Sequence, residues 1–595
     1  MAYIQMFKHL WQYAEKERWK VVVYILLHAI SILGELGKPF AFAMVLNALQ
    51  KNSPNVINEV LHWLLFYTAC FFVFEIFHRS ARFIERYVAF RNRKRFVTTM
   101  YDHLQTLPLS WHSDNHSGAV IDRVNKAADA LYEFGQSQMM FVNVFMKFWG
   151  PMIILWKISK EIAIIAMMVG FLIVFVTKKL YSLSVPEYRA QNQAFHDVAL
   201  ALHDYVSNIT TIIMLRLGKY VKKDIEERIN RAFPHLKKEN RITHIKCFST
   251  GFLMLLLDVG LIFYYIYSQK QANALIKIGS VAAIFEYIKQ FMMSFQFYAG
   301  DYESVIHWKT DFEAIRPILD EKSKVVVLEE VLLNEWKKID VKSLDFSYGD
   351  EKYDLKDISI SLYKGKKIAF VGESGAGKST LLKILRGLVS TRRGKLKVDE
   401  DKELPISVLA KTTTLIPQEP EIFENTVRYN ITMGMISKEE DIESAIWTAG
   451  FNDVVKKLPT GVESDVREKG VNLSGGEKQR LALARGIFAI KDSKIVLLDE
   501  PTSNVDPAME LTIFRRLFEI LSEKCVVSVL HRLHLVRLFD YVYVLKEGRI
   551  VEEGTFEHLR ENNGEFTRLW NKYLAEEELE EMDKESIELN ISKCY

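Results

Sequence analysis

Long apolar stretches crowd the first half of the chain and fade after about Gly300. A membrane-crossing helix needs about 20 apolar residues. On that measure the pattern predicts six spans, near residues 20–46, 57–78, 137–157, 161–178, 247–268 and 275–299. Ile162–Val176 carries no charge, whereas several of the others do. The joints near Lys51–Asn58, Lys157–Glu161 and Ser268–Asn273 are short. The joints after the second and fourth spans are long, poor in Gly and Pro, and rich in cations: Arg79, Arg82, Arg86, Arg91, Arg93, Lys94 and Arg95, then Lys178, Lys179, Arg189 and Lys222. An excess of Lys and Arg marks the cytoplasmic side. Both termini are therefore expected in the cytoplasm, and the helices are expected to run on beyond the bilayer. Ahead of the first span, Phe7, Leu10, Trp11 and Ala14 recur at helical spacing among Lys8, Glu15, Lys16 and Arg18. That suits an amphipathic helix at the membrane interface or an ordinary surface helix.

Four charges fall near mid-membrane when depth is counted at about 1.5 Å per residue. They are Lys147, Asp258, Glu286 and Lys289. Charges in hydrocarbon should face the bundle interior and pair. Either Asp258 or Glu286 neutralises Lys289 and holds helices together, or some of the four line a cavity that takes the polar head of an amphiphile.

From about Lys337 the pattern changes to short β-rich runs alternating with helices, which predicts an α/β domain. The strand Lys367–Val371 runs into Gly372-Glu373-Ser374-Gly375-Ala376-Gly377-Lys378-Ser379-Thr380 and then the apolar helix Leu381–Leu388. This is G-x-x-x-x-G-K-S in the strand-to-helix setting that a phosphate-binding loop requires. The glycines let backbone N–H groups wrap phosphates, and the helix N-terminus favours an anion. Lys378 is placed to reach the β and γ phosphates, and Ser379 to offer its hydroxyl to Mg²⁺. The buried strand Ile495–Leu498 ends in Asp499-Glu500. Asp499 suits the Mg²⁺ shell, and Glu500 can polarise a water for attack on the γ-phosphate. A further strand, Val526–Leu530, ends in His531, a candidate γ-phosphate contact.

With these residues in place the chain resembles the ATP-binding cassette (ABC) family. Leu473-Ser474-Gly475-Gly476-Glu477 is similar to its signature loop, which usually ends in Gln. Gln418 resembles the Q-loop glutamine, a further Mg²⁺ contact, and Asp506 in Ser503-Asn504-Val505-Asp506 resembles the D-loop. His531 resembles the switch histidine, Tyr348 the aromatic that stacks on adenine, and Glu468 the x-loop of exporters. Leu107-Pro108-Leu109-Ser110-Trp111 with Gly118–Val124 resembles the first cytoplasmic loop of bacterial half-transporters such as lipid flippases and multidrug exporters, and Ala199–Leu217 its second. Those loops carry short coupling helices in that family.

The resemblance implies a six-helix transmembrane domain of the type I ABC exporter kind over residues 1–320, a linker over 321–336, and an α/β P-loop ATPase domain over 337–575. It implies ATP and Mg²⁺ as ligands, and composite sites in which the Walker loop of one chain meets the signature of another. The expected partner is a second copy of the chain, with a heterodimer left open. The expected function is ATP-driven export or flipping of an amphiphilic substrate by alternating access, from a bacterial inner membrane. An ATP-gated channel or regulatory protein on the same fold is the alternative, and a soluble ABC ATPase is opposed by the apolar spans. Glu477 places a carboxylate where the family has an amide, which bears on ATP-induced closure.

Composition adds exclusions. The 595 residues carry a net charge of only +3, so there is no nucleic-acid footprint. Four scattered cysteines with no CxxC spacing predict neither a disulfide framework nor a zinc site. No signal peptide is read at the N-terminus. Residues 576–595 are acidic and predict a solvated tail.

Overall fold

A computed structural model of the chain describes residues 2–51, 54–115, 117–321, 336–348, 354–389, 391–399, 402–419, 421–466 and 473–575. The acidic tail, most of the expected linker and Glu468 lie outside the described residues. The chain divides into two compact units, Met1–Leu107 with Asn115–Ser323, and Pro108–Asp114 with Lys324–Tyr595.

The first unit is helical. In chain order the helices are α1 (Ala2–Ala14), α2 (Arg18–Lys51), α3 (Val56–Thr106), α4 (Leu109–Asp114, in the second unit), α5 (Ser117–Gly135), α6 (Gln138–Ile158), α7 (Lys160–Ser207), α8 (Ile209–Met214), α9 (Gly218–Gln271), α10 (Ile278–Glu313) and α11 (Arg316–Leu319). The six expected spans fall on α2, α3, α6, α7, α9 and α10. The 54 residues of α9 run about 80 Å, against a hydrocarbon core of about 30 Å, so the long helices do overrun a bilayer. Five of the described helical stretches are long and apolar enough to cross a membrane. The sixth, α10, is not among them, because Glu286, Lys289 and Gln290 interrupt its apolar run. Its face is nonetheless central to the bundle: Ile284, Tyr287, Ile288 and Phe291 are fully buried against Ile32 of α2, Leu155 of α6 and Ala166 of α7. Outward-facing Phe171, Phe175 and Phe263 are exposed, as befits side chains whose solvent is lipid.

The N-terminal helix packs one face on the bundle. Met6 and Leu10 on its apolar face are fully buried, packed against α3, α5 and α10. Tyr3 Oη donates to Gln138 Oε1 at 2.8 Å, and Arg95 closes the C-terminus of α1 by donating to the carbonyls of Tyr13 and Ala14. Of the apolar face expected from the sequence, Leu10 and Ala14 are buried by protein, whereas Phe7 and Trp11 stay part-exposed.

The mid-membrane charges also pair differently from expectation. Lys147 Nζ donates to Glu35 Oε1 of α2 at 2.8 Å. Among the described residues, Asp258, Glu286 and Lys289 make no ion pair within 4.0 Å, and Asp258 Oδ1 is buried without a hydrogen-bond partner. Counting depth along a helix gives a height but not a rotation, so it does not say which of the charges at one level meet. Glu35→Gln should lower the thermal unfolding midpoint in detergent by the equivalent of about 1–2 kcal/mol, because it strands a half-buried ammonium. Glu35→Gln with Lys147→Met should recover most of that loss. Equal losses in the single and double variants would show that the pair does not hold α2 to α6.

The second unit carries β1 (Lys338–Phe346), β2 (Leu355–Tyr363), β3 (Lys367–Val371), α12 (Lys378–Leu385), β4 (Arg393–Val398), β5 (Lys402–Leu404), β6 (Thr413–Ile416), β7 (Asn425–Thr426), α13 (Val427–Thr432), α14 (Glu439–Thr448), α15 (Asn452–Lys457), β8 (Asp465–Val466), α16 (Gly475–Ala489), β9 (Ile495–Asp499), α17 (Pro507–Ile520), β10 (Cys525–Val529), β11 (Tyr541–Lys546), β12 (Arg549–Gly554) and α18 (Phe556–Glu561). A six-stranded sheet has the order β12-β11-β3-β10-β9-β6, and a four-stranded antiparallel sheet the order β2-β1-β4-β5. In the larger sheet β11, β3, β10, β9 and β6 are parallel. Every residue of β3, β9 and β10 is buried. Strands covered on both faces read as unbroken apolar runs, which is why all three are visible in the sequence.

Candidate functional site

Ligands in an open α/β sheet bind outside the carboxyl ends of the parallel strands. Here four adjacent strands bring the candidate residues to one such edge. The loop 372–377 follows β3, His531 follows β10, Asp499 ends β9, and Gln418 lies just past β6. Register aligns Phe370, Val529 and Asp499 side by side across β3, β10 and β9, so residues far apart in sequence end at one level. They border a cleft of about 640 Å³ lined by Ser374–Thr380, Gln418, Glu500 and His531. Gly377 caps α12 with φ at +97°, a left-handed conformation, and a Cβ there would meet Leu355 Cδ2 at 2.5 Å. Both demands select glycine.

Two contacts join the expected residues in pairs. Ser379 Oγ donates to Asp499 Oδ1 at 2.8 Å, and Gln418 Nε2 donates to Glu500 Oε2 at 2.8 Å. Lys378 is buried, and its ammonium donates to the carbonyls of Gly372 and Glu373 at 2.7 and 2.9 Å. Burial pushes Lys378 below the usual lysine range, although Glu500 and Asp499 oppose this. Burial likewise raises the Asp499 carboxyl, opposed by the Ser379 hydrogen bond and by Lys383 and Lys378. The edge thus holds under-solvated charges of both signs, which a polyphosphate and a cation would each compensate. Glu500 stands with φ at +46°, a left-handed conformation costing a non-glycine residue roughly 1–2 kcal/mol. Strain of this kind collects at functional positions. No periodicity or motif spacing signals it.

The remaining candidates are not among the residues that line this cleft. Ser474 is the N-cap of α16, its Oγ accepting from Glu477 N at 3.3 Å, while Ser474 N donates back to Glu477 Oε2 at 2.8 Å. Ser474, Gly475, Gly476 and Glu477 therefore form a capping box. The Ser474 hydrogen bond holds the Glu477 carboxyl below the usual range. Glutamine also serves at that position of a capping box. Glu477→Gln should therefore keep the unfolding midpoint within about 0.5 kcal/mol and lower half-saturating ATP about two- to fivefold, by removing one negative charge at a helix N-terminus. An unchanged ATP titration would show that this charge is not felt by nucleotide. Asp506 caps α17, accepting from Met509 N at 2.9 Å. Tyr348 is exposed beyond β1, its N–H bonded to Asp354 Oδ2 at 2.7 Å and its ring edge-on to Phe346.

Two clusters have no counterpart in the sequence reading. Buried Glu510 accepts from Thr502 Oγ1 at 2.6 Å and from Arg532 Nη1 at 3.1 Å, and Arg532 also donates to Val505 O. This ties the loop after Glu500 to the residue following His531. The other centres on Gln479 of α16, bonded to Gln418 O, Ser503 Oγ and Asn504 N. Both rest on single polar residues inside helices or loops, a pattern shared with any solvated surface.

Comparison with known proteins agrees with this geometry. Residues 355–503 match the family model described as ABC transporter, and residues 21–295 the model described as ABC transporter transmembrane region. The human protein named ATP-binding cassette sub-family B member 6 is 27% identical over 593 residues, covering 94% of this chain and 68% of its own. The ATP-dependent lipid A-core flippase of Coxiella burnetii is 26% identical, covering 87% of this chain and 88% of its own. The solved structure of a bacterial Atm1-family ABC exporter with ATP bound superposes with a TM-score of 0.79 at 21% identity, over 93% of this chain and 98% of that one, so the type I exporter fold is shared. The two family models together span well over half of the residues, and the chain belongs to the ABC transporters as a half-transporter that fuses a multi-pass transmembrane region to an ATP-hydrolysing domain.

Proposed function

We propose that the chain pairs with a second copy of itself and exports or flips an amphiphilic substrate, hydrolysing ATP at sites that each draw on both chains. One observation carries the composite-site reading. The cleft is bordered by the Walker loop, Gln418, Glu500 and His531, yet among the described lining residues none comes from the signature turn Ser474–Glu477. A single chain leaves that turn without a nucleotide and leaves its own cleft open. The exposed apolar side chains of α8 and its flanks, Ile213, Met214, Leu215 and Tyr220, support a second copy as the surface they meet. The Coxiella relative is named for flipping lipid A-core, an amphiphile, which supports the same substrate class here. The bilayer is read as a bacterial inner membrane, with both termini in the cytoplasm.

On this reading the backbone of 372–377 and the N-terminus of α12 cradle the phosphates, and Lys378 exchanges its two carbonyl contacts for phosphate oxygens. Tyr348 stacks on the adenine. Ser379, Asp499 and Gln418 are hard oxygen donors suited to Mg²⁺, and the Ser379–Asp499 contact at 2.8 Å puts two of them together; the ion would neutralise phosphate charge there. Glu500 polarises the attacking water, held in orientation by Gln418, and His531 contacts the γ-phosphate. The partner's Ser474 and the glycines beside it complete the site from the other chain, with Asp506 at the join. Closure of the two ATPase domains around two nucleotides then favours the outward-facing state, because ATP binds that state more tightly.

Mixed dimers test the composite site. Lys378→Ala alone should weaken ATP binding at least about tenfold by removing a charge-assisted phosphate contact. A dimer of one Lys378→Ala chain and one Ser474→Ala chain keeps one whole composite site and should hydrolyse ATP. A wild-type chain paired with a chain carrying both substitutions keeps none and should be inactive. The reverse ranking would mean that each site is built within one chain. Reconstitution in liposomes, with lipids, peptides and drugs screened for ATPase stimulation, then addresses the substrate.

A further inference from the structure

Gln479 lies on α16, in the helix that the signature turn begins, and is 2% exposed. Its Nε2 donates to Ser503 Oγ at 2.7 Å and to Gln418 O at 3.4 Å, and its Oε1 accepts from Asn504 N at 2.8 Å. One amide therefore joins three segments: the helix of the signature, the loop that starts at Glu500, and the residue whose own side chain holds Glu500. A second contact makes the first of these joints tight. A Cβ on Gly476 would lie 2.7 Å from Asn504 O, so the signature turn rests directly on the same loop. No other side chain supplies this set of bonds at this length. Glutamate cannot donate to Gln418 O or Ser503 Oγ, and leucine neither donates nor accepts.

We infer that Gln479 is a positioning residue that couples the two nucleotide sites of the dimer. The inference rests on the composite-site reading above. In such a dimer the signature turn of a chain meets the partner's nucleotide, whereas Glu500 and Gln418 of that chain serve its own. A displacement of α16 on engaging the partner's nucleotide must move Ser503, Asn504 and Gln418 with it or break buried hydrogen bonds. Gln479 thereby makes the placement of Glu500 in one site depend on occupancy of the other.

The test is an ATP titration of hydrolysis by the full-length chain in proteoliposomes. Gln479→Leu should lower kcat roughly tenfold, the worth of a buried hydrogen-bond set. Half-saturating ATP should stay within about twofold, and the Hill coefficient should fall to about one. Ser503→Ala removes one of the three bonds without touching the amide, and should move kcat and the Hill coefficient in the same direction by less. It decides the matter should Gln479→Leu fail to fold. A role confined to stability would lower the unfolding midpoint and the active fraction but leave the Hill coefficient alone, and that outcome overturns the coupling. So does a wild-type Hill coefficient of one, or a wild-type kcat and Hill coefficient in both variants. Ser474→Ala separates the two readings: full activity in that variant would sink the composite site itself, whereas an inactive Ser474→Ala beside a wild-type-like Gln479→Leu would sink only the coupling.

Discussion

Glu500→Gln should bind ATP with near wild-type affinity and hydrolyse it at least about a hundredfold more slowly, the usual weight of a positioned general base. The substitution is close to isosteric, and the proposed phosphate cradle of 372–377 offers backbone N–H groups that it does not touch. What changes is the charge. Gln418 Nε2 now donates to a carboxylate oxygen at 2.8 Å, and an amide oxygen at position 500 can still accept that bond. On the proposed role of Glu500, the variant keeps its geometry and loses the carboxylate that would draw a proton from water. It should accumulate as an ATP-loaded dimer, visible as a shift in size. Turnover within tenfold of wild type would remove Glu500 from the role of base. The left-handed backbone at Glu500 adds a second expectation: Glu500→Gly should relieve local strain while abolishing turnover, so stability and activity separate.

The second large effect is expected in the helical unit. Glu85 of α3 is fully buried, and its Oε2 meets Arg82 Nη1 at 2.6 Å and His28 Nε2 of α2 at 3.3 Å. Its Oε1 accepts from Met139 N at the start of α6 at 2.9 Å, and Arg82 donates to Gln136 O at 2.6 Å. One carboxylate thus fastens α2 and α3 to the α5–α6 joint. Glu85→Ala takes this acceptor from the imidazole and from the backbone N–H of Met139, and leaves the guanidinium with Gln136 O alone. Removing one partner of a buried ion pair costs about 3–5 kcal/mol. Because Arg82 keeps some access to solvent, the lower end, about 3 kcal/mol, is expected. The measurement is the unfolding midpoint in detergent, with the Glu35→Gln variant as the milder reference. A loss below about 1 kcal/mol would mean that water replaces the carboxylate at that joint. ATP affinity of the folded fraction should be unaltered, since no residue of the nucleotide cleft belongs to this cluster.

The two halves of the chain differed in how much they disclosed. In the ATPase domain the expected strands Lys367–Val371 and Ile495–Leu498 match β3 and β9 to within one residue. Both are short apolar runs closed by a glycine or an acid, and both features are local. The expected helix Leu381–Leu388 begins three residues earlier, at Lys378, because the left-handed Gly377 lets the helix start inside the loop itself. In the membrane half, α7 announced itself through a charge-free core, while α10 was blurred by Glu286 and Lys289 although Ile284, Tyr287, Ile288 and Phe291 on its inner face are fully buried.

Element type, element order and the glycine-rich strand-to-helix loop follow from the sequence alone, because each depends on residues adjacent in the chain: hydrophobic period, glycine spacing, a polar residue at a strand end. The tertiary structure alone decided who meets whom. Lys147 turns to Glu35, α1 buries Met6, Leu10 and Ala14 against neighbouring helices, and Gln479 disappears beneath the loop that starts at Glu500. Each of these depends on how far a helix is rotated about its own axis. That rotation is set by all of its packing contacts at once, and no local spacing encodes it.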